Sequence, residues 1–422
     1  MRAKNLWLLF ATGVLVLAAC TGDGAGYAGD PKVAEVDPLE NDLLVVGTDR
    51  GPVALSPATG SVLAERAGAL ASPDGLRLYD ATSAGGSTLL ETVDLVTGVV
   101  SASTRIRGDL DVRVVSGSGR LAALMDPLAD GADVWTPIPR ARTTIVVTDP
   151  TGVNAARRYR LTGNFEPEAF STDDSMLFLI QHLPAESPVV YRVTVLDLAT
   201  GEVGAVAGRF KTPPERMPGT RLAQTLGPDG TQLYTLYTSQ PPAYVEEIRG
   251  ATGRPVAFVH VLSLSEGWAY CVGLPEIYWG RPASEQAMAI SPAGERLYVV
   301  EAARGLVTEI DTSSLEVLRT ARFGSGSQGG LATSAEVGTD GRTLFVGSGP
   351  AVLGIDLALL ELVHSWPTGT SVSGLRLSVD GSRLYVALGD RVAALDAETG
   401  SEIAAVPFAG ADGIVDVGSR GT

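Results

Sequence analysis

Between residues 43 and 418 the chain alternates apolar and polar positions in short runs, each broken by a turn of Gly, Asp, Pro, Ser or Thr. No stretch shows the apolar period of an amphipathic helix, so the pattern predicts strands throughout. Two kinds of turn recur. In the first, a Gly or Asp is followed by two residues and then by Leu-Tyr or Leu-Phe. It occurs at Gly75, Asp174, Gly230, Gly294, Gly341 and Gly381, leading into Tyr79, Phe178, Tyr234, Tyr298, Phe345 and Tyr385. A degenerate copy, Gly119-Arg120-Leu121, fills the gap between the first two. Most copies end a Ser-Pro-Asp-Gly-like tetrapeptide (72–75, 227–230, 291–294, 338–341, 378–381), a hairpin signal because Gly accepts positive φ. Tyr79, Tyr234, Tyr298 and Tyr385 share one repeat position, which marks them as core.

The second turn closes a strand with Asp, Ser or Thr at its first position and Gly at its last. Copies begin at Ser56, Asp94, Thr148, Asp197, Ser263, Asp311, Asp356 and Asp396, with Leu315 and Leu360 in place of the Gly in two of them. The leading side-chain oxygen is suited to cap the turn's amides. A calcium array is a poor alternative: Ser and Thr substitute for Asp, and one acid per turn gives too few ligands.

The repeating unit is therefore strand A, tight turn, strand B, loop, strand C, tight turn, strand D. Four antiparallel strands every roughly 40–60 residues, with nothing helical between, define an all-β chain of β-propeller type. The motifs, clearest in 291–320 and 378–407, resemble the YVTN-type (WD40-like) propeller repeat of bacterial proteins. That resemblance covers about residues 43–418 and implies the fold, while saying little about activity. Eight second-type turns against seven of the first favour eight blades over seven. The N-terminal unit begins at strand B, and 411–421 resembles a strand A, so the two termini are expected to share one blade and close the ring.

The N-terminus reads differently. Arg2 and Lys4 precede an apolar run from Leu6 to Ala19, shorter than the roughly 20 residues that span a bilayer. It ends in Leu17-Ala18-Ala19-Cys20, which resembles the lipobox of bacterial lipoproteins. The resemblance implies a signal peptide over 1–19, a lipidated Cys20 and a membrane-anchored protein facing outside the cytoplasm. Residues 20–42, rich in Gly, Asp and Pro, read as a flexible tether. A formal net charge of -16 argues against nucleic acid as a partner. With two Cys there is no disulfide framework, and Cys271, in an alternating segment, reads as a buried, inert thiol.

Strand parity places both kinds of tight turn on one face of the disc and the B–C and D–A connections on the other. The long connections 126–142, 181–189, 238–255 and 274–285 all fall on that second face, over adjacent blades. They hold the candidate binding residues Trp135, Arg140, His182, Tyr244, Glu246, Glu247, Tyr278, Trp279 and Arg281, with Arg142 and Arg249 nearby. Aromatic side chains beside Arg suit a protein or cell-envelope glycan partner, although the Trp residues could equally pin the loops to the disc. No catalytic or metal motif is present and no cofactor is called for; His260 and His364 lie in strands. The first expectation is thus a non-catalytic binding module. The alternative is an extracytoplasmic propeller enzyme of the lactonase, lyase or quinoprotein kind, with a site at the tunnel mouth from Glu168, Arg221, Glu285 and Gln286. Replacing Cys20 with Ala should move the protein from the membrane to the soluble fraction. Retention of Cys20→Ala in the membrane, uncleaved, would contradict the lipid anchor.

Overall fold

The computed structural model describes residues 38–128, 137–210, 217, 220–238, 257–279, 285–324 and 333–419. Within them the strands form eight antiparallel sheets of four strands, an eight-bladed β-propeller. Blade 1 is the shared one. Its outer three strands are Asp42–Thr48, Gly51–Leu55 and Val62–Glu65, and its innermost strand is Gly413–Ser419 from the other end of the chain. The pairing registers Leu44 on Val417 and Val46 on Ile414, as the repeat count predicts. The innermost strands of blades 2 to 8 are Leu70–Ala71, Asp111–Val115, Asn164–Phe170, Thr220–Leu226, Gln286–Ile290, Thr333–Val337 and Gly374–Leu377.

Each sheet stands between two others, so its middle strands are buried on both faces. That is why strand B of blade 6, Arg296–Glu301, reads Leu-Tyr-Val-Val without alternation, and why its Leu297 and Val299 join one inter-blade core while Tyr298 and Val300 join the next. The outermost strands, such as Val100–Arg107, keep a polar outward face. Tyr79, Tyr234, Tyr298 and Tyr385 are all buried in the core.

The turns follow their chemistry. Asp94, Asp197, Asp311, Asp356 and Asp396 each accept backbone N–H groups two or three residues on, at 2.7–3.1 Å. In blade 3 the capping residue is Asp149 rather than Thr148: its Oδ1 takes the N–H of Thr151 at 2.8 Å. Hydroxyl and amide donors hold the carboxyls of Asp173, Asp311 and Asp380 down at about 2. Leu315 and Leu360 adopt the left-handed conformation that Gly supplies elsewhere (φ 58° and 56°). Both side chains are buried between blades, which offsets the backbone cost.

Two features lie outside the sequence expectation. Ala207–Gly208 adds a short parallel fifth strand to the outer edge of blade 5. The propeller also takes up the end of the expected tether: Leu39 packs into the core between blades 8 and 1, and Asp42 begins the first strand.

Asp42 makes the most consequential polar contact of the closure. Its Oδ2 accepts from Arg383 Nε at 3.0 Å and from the Tyr385 hydroxyl at 2.5 Å, both from strand B of blade 8 (Arg383–Ala387). The Arg383 and Asp42 side chains are only 7% and 5% exposed, so water cannot replace either partner. Burial, and then the Asp42 carboxylate, push the Tyr385 hydroxyl pKa up. Asp42→Ala should therefore lower unfolding free energy by about 1–3 kcal/mol, because it takes the acceptor from the buried Tyr385 hydroxyl and leaves Arg383 only the exposed carboxylate of Asp380, at 3.3 Å, and the Ser382 hydroxyl. Adding Arg383→Leu should recover much of that loss. Denaturant titration of the single and double variants checks both; a single-variant loss under about 1 kcal/mol would mean that the latch is solvated.

Candidate functional site

Two places in the ring combine chemistry with access. The first is the face carrying the long connections. Here the inner strands of blades 3 and 4 direct polar side chains at the loops. Arg113 donates to the Asp126 carbonyl at 2.5 Å, where connection 126–142 begins. Near its end, Arg140 Nη2 reaches Glu166 Oε2 at 3.4 Å, while Arg113 Nε faces Glu166 Oε1 at 3.1 Å. Asn164 Nδ2 donates to the carbonyls of Ile138 (2.7 Å) and Ala185 (3.1 Å), tying that connection to 181–189. Burial lowers the pKa of Arg113 although Glu166 opposes it.

The connection 274–285 is fastened as firmly. Glu276–Tyr278 forms a single turn of 3-10 helix on blade 6. Tyr278 is fully buried; its hydroxyl donates to the Val299 carbonyl at 3.0 Å and accepts from Thr308 at 3.1 Å. Arg304, paired with the buried Glu301, donates to the Ile277 carbonyl. Trp279 stays part-exposed, with its indole N–H on the Leu274 carbonyl at 2.9 Å.

The candidate residues of this face therefore divide. Tyr278 cannot meet a partner directly: it is a pin, because its ring fills the core between blades 5 and 6. His182 is also buried, edge-on to Tyr191 at 6.4 Å, within an aromatic row that continues through Tyr237 to Phe258. Arg140 is engaged by Glu166, and Trp279 presents part of its ring. Trp135, Tyr244, Glu246, Glu247, Arg249 and Arg281, like Cys20, lie outside the described residues; Arg142 is exposed at the start of strand C in blade 3. Buried His260 is pushed down to about 4 by desolvation, and His364 stacks on Trp366 at the rim of blade 7. Cys271 is half-buried rather than buried, on the outer antiparallel strand of blade 5.

The second place is the central channel. A cavity of about 780 Å³ opens beside the A–B turns, on the tight-turn face, and is lined by the ends of inner strands from blades 1, 2, 5, 6, 7 and 8. Three adjacent blades place Glu336, Arg376 and Asp416 in its wall, with Arg376 Nη1 2.5 Å from Glu336 Oε2. Burial raises the carboxyls of both Glu336 and Asp416, and Arg376 opposes the shift in each. Asp416 lies against the A–B turn of blade 2 so closely that a Cβ at Gly75 would stand 1.8 Å from its Oδ2. Gly75 is required there both for this contact and for its φ of 64°.

A second chamber, of about 460 Å³, adjoins the first through the shared Pro73 and Leu226 and is lined by Val114, Phe170, Leu233 and Glu168. Glu168 accepts from Gln224 Nε2 at 2.5 Å, and Gln224 lines the larger chamber. Of the tunnel-mouth candidates, Glu168 thus reaches the channel from within strand A. Gln286 is buried at the start of its strand, Glu285 sits near Arg304, and the Arg221 side chain is not among those described. Three inner strands carry β-bulges at lining or loop-clamping residues: Arg113, Glu168 and Val415 have no partner opposite them in the register. A bulge re-aims a side chain, and here it turns Glu168 and Val415 toward the channel. Among the described residues no group of three or more His, Cys, Asp or Glu could hold a metal ion.

Comparison with known proteins supports the fold alone. No protein-family model matches the chain, and no curated protein sequence matches it. Among solved structures it is similar to the dihydro-heme d1 dehydrogenase NirN in complex with DHE, at 16% identity and a TM-score of 0.54, covering 94% of this chain and 78% of that one. It is also similar to AztD from Citrobacter koseri, at 10% identity and a TM-score of 0.52, covering 89% of this chain and 96% of that one. The class of protein so defined is an eight-bladed propeller, a fold that carries both enzymes and binding modules.

Proposed function

We propose that the protein is a membrane-anchored, extracytoplasmic lipoprotein whose propeller acts as a non-catalytic binding module. Its partner, a protein or a cell-envelope glycan, docks on the face of the long connections. One observation carries this reading: three of these connections, 126–142, 181–189 and 274–285, are clamped where they are described by buried polar groups of the disc, namely Arg113, Asn164, Glu166, Tyr278 and the Glu301–Arg304 pair. A connection that merely spanned a gap would need no such fastening. Loops held by a rigid scaffold give up less conformational entropy when a partner arrives. Trp279 is the described aromatic that remains part-exposed there. The anchor rests on the run that ends at Cys20, and the tether would carry the disc away from the bilayer.

If Trp135 and Trp279 anchor the partner, changing each to Ala should weaken binding by about 2 kcal/mol or more with the fold intact. Pull-down from an envelope extract with wild type and the Trp135→Ala/Trp279→Ala variant provides the measurement, with Tyr278→Phe as a control that loosens a loop without removing an exposed ring. Equal recovery of one partner by wild type and the double variant would put the interface elsewhere. Turnover of a lactone or sugar by the purified protein would overturn the non-catalytic reading.

A further inference from the structure

The two chambers open on the face opposite the proposed docking surface, and the smaller differs in character from the larger. We infer that the smaller chamber is a binding site for a neutral lipophile, a hydrocarbon chain with an uncharged hydroxyl end, and that the larger chamber is its vestibule.

The walls set the apolar part of the ligand. The inner strands of blades 3, 4 and 5 end at Val115, Phe170 and Leu226, and all three residues line the smaller chamber. Val114, Leu233 and Leu264 line it with them. Val114 and Leu226 are half-buried, so apolar surface remains open after the blades have packed. Around these walls the turn residues Pro73, Gly117, Thr172 and Asp229 are exposed, which leaves a way in from the tight-turn face. The volume of about 460 Å³ falls within the range of small-molecule cavities, about 300–1,000 Å³. Each methylene that leaves water for these walls adds to binding. The vestibule offers apolar surface too: Val379 and Val415 line it and are 60% and 43% exposed.

The polar groups set the other end. No Lys, Arg or His lines the smaller chamber, and the guanidinium lining the larger, Arg376, is paired with Glu336 at 2.5 Å. A carboxylate would find no uncommitted counter-ion among the described lining side chains. The two acids of the smaller chamber are engaged within the protein, so neither sets a positive charge on the ligand. Glu168 accepts from Gln224, and Asp229 accepts the backbone N–H and the hydroxyl of Thr231 at 3.0 and 2.8 Å. Gln224 lines the vestibule and is bonded to a residue of the smaller chamber, beside the shared Pro73 and Leu226. Its amide N–H groups serve Glu168 at 2.5 Å and Thr235 at 3.1 Å, which leaves its oxygen to accept from a ligand hydroxyl.

The start of the ring indicates the source of such a molecule. Asp42 pairs with Ser419, the last residue of the closing inner strand. The chain therefore enters blade 1 at the end where the other blades have their A–B turns, and the expected tether attaches on the face where the chambers open. With Cys20 lipidated as proposed, the bilayer supplies the lipophile. That source rests on the anchor reading; the site rests on its lining.

Photolabelling with hexadecanol carrying a mid-chain diazirine tests the assignment. In one arm the probe is dissolved in phosphatidylcholine vesicles bearing the full-length protein. In the other it is delivered from a cyclodextrin complex to the soluble Cys20→Ala chain. In both arms adducts should map to peptides covering 114–118, 169–172 and 226–233, and hexadecanoic acid with the same diazirine should give at least fivefold fewer. Val114→Glu and Leu226→Glu should each cut labelling about tenfold, because a carboxylate on the wall repels a hydrocarbon chain. Val153→Glu, at an exposed turn of blade 3, should leave it unchanged. Melting curves establish which variants are folded, and Pro73→Glu, at an exposed turn tip, carries the comparison should the other two fail to fold. The proposal is overturned if adducts in both arms spread over exposed residues such as Val153 and Leu359, if the folded wall variants label like wild type, or if the acid labels as well as the alcohol. Labelling of the lining from cyclodextrin but not from vesicles would keep the site and overturn the bilayer as its source, which separates a failure of the anchor from a failure of the chamber.

Discussion

Everything in this molecule depends on one strand being in the right sheet. Gly413–Ser419 leaves blade 8, crosses to the sheet formed by the first residues of the chain and becomes its innermost member. An open array of blades would present an unpaired inner edge at one end and an unsatisfied blade face at the other. Ring closure removes both. The approach is close: a Cβ at Gly374 would stand 2.7 Å from the Gly413 Cα, so two inner strands meet where only glycine fits. The Asp42–Arg383–Tyr385 contact fastens the same seam from the blade body, joining residues from the two ends of the chain in a buried pair. Such a pair adds less net stability than its Coulomb energy suggests. Breaking one side of it is costly, which fixes the seam in a single register.

The channel inherits this dependence. Asp416 is on the closing strand and Arg376 on the neighbouring inner strand, so their part of the wall exists only in the closed ring. In blade 4 the bulge that points Glu168 at the channel is confined to the innermost pair, since the next two pairs of that sheet run without a shift. The rigid disc thus serves both faces. On one it holds acids and a guanidinium around a cavity; on the other it clamps long connections by their roots. The same inner strands do both, since Glu166 grips a loop and Glu168, two residues on, lines a chamber.

How far this was legible in the sequence follows the range of each interaction. Turns are local: Asp396, Thr399 and Gly400 specify their hairpin within five residues, so the blades could be counted and the shared blade deduced from a missing strand A. A neighbouring carboxylate could still shift the reading by one position, as Asp149 did beside Thr148. The channel was not legible. Glu336, Arg376 and Asp416 each look like an ordinary polar position of a short strand, and they converge only once the ring has closed. A bulge leaves no mark in the sequence either, because the extra residue is defined by what fails to pair opposite it. Burial within a loop was not legible either: Tyr278 and Trp279 are adjacent aromatics in one loop, yet the first is enclosed and the second part-exposed.

Native-state hydrogen exchange on the closing strand tests the central claim most directly. If Gly413–Ser419 is an integral part of the ring, the hydrogen-bonded amides of that strand and of Asp42–Thr48 should exchange only through global unfolding. Their opening free energy should then match that of central strands such as Thr343–Ser348 in blade 7. Exchange of 413–419 through a local opening orders of magnitude faster, with 343–348 still protected, would contradict the account. The ring would then hold together without its shared blade.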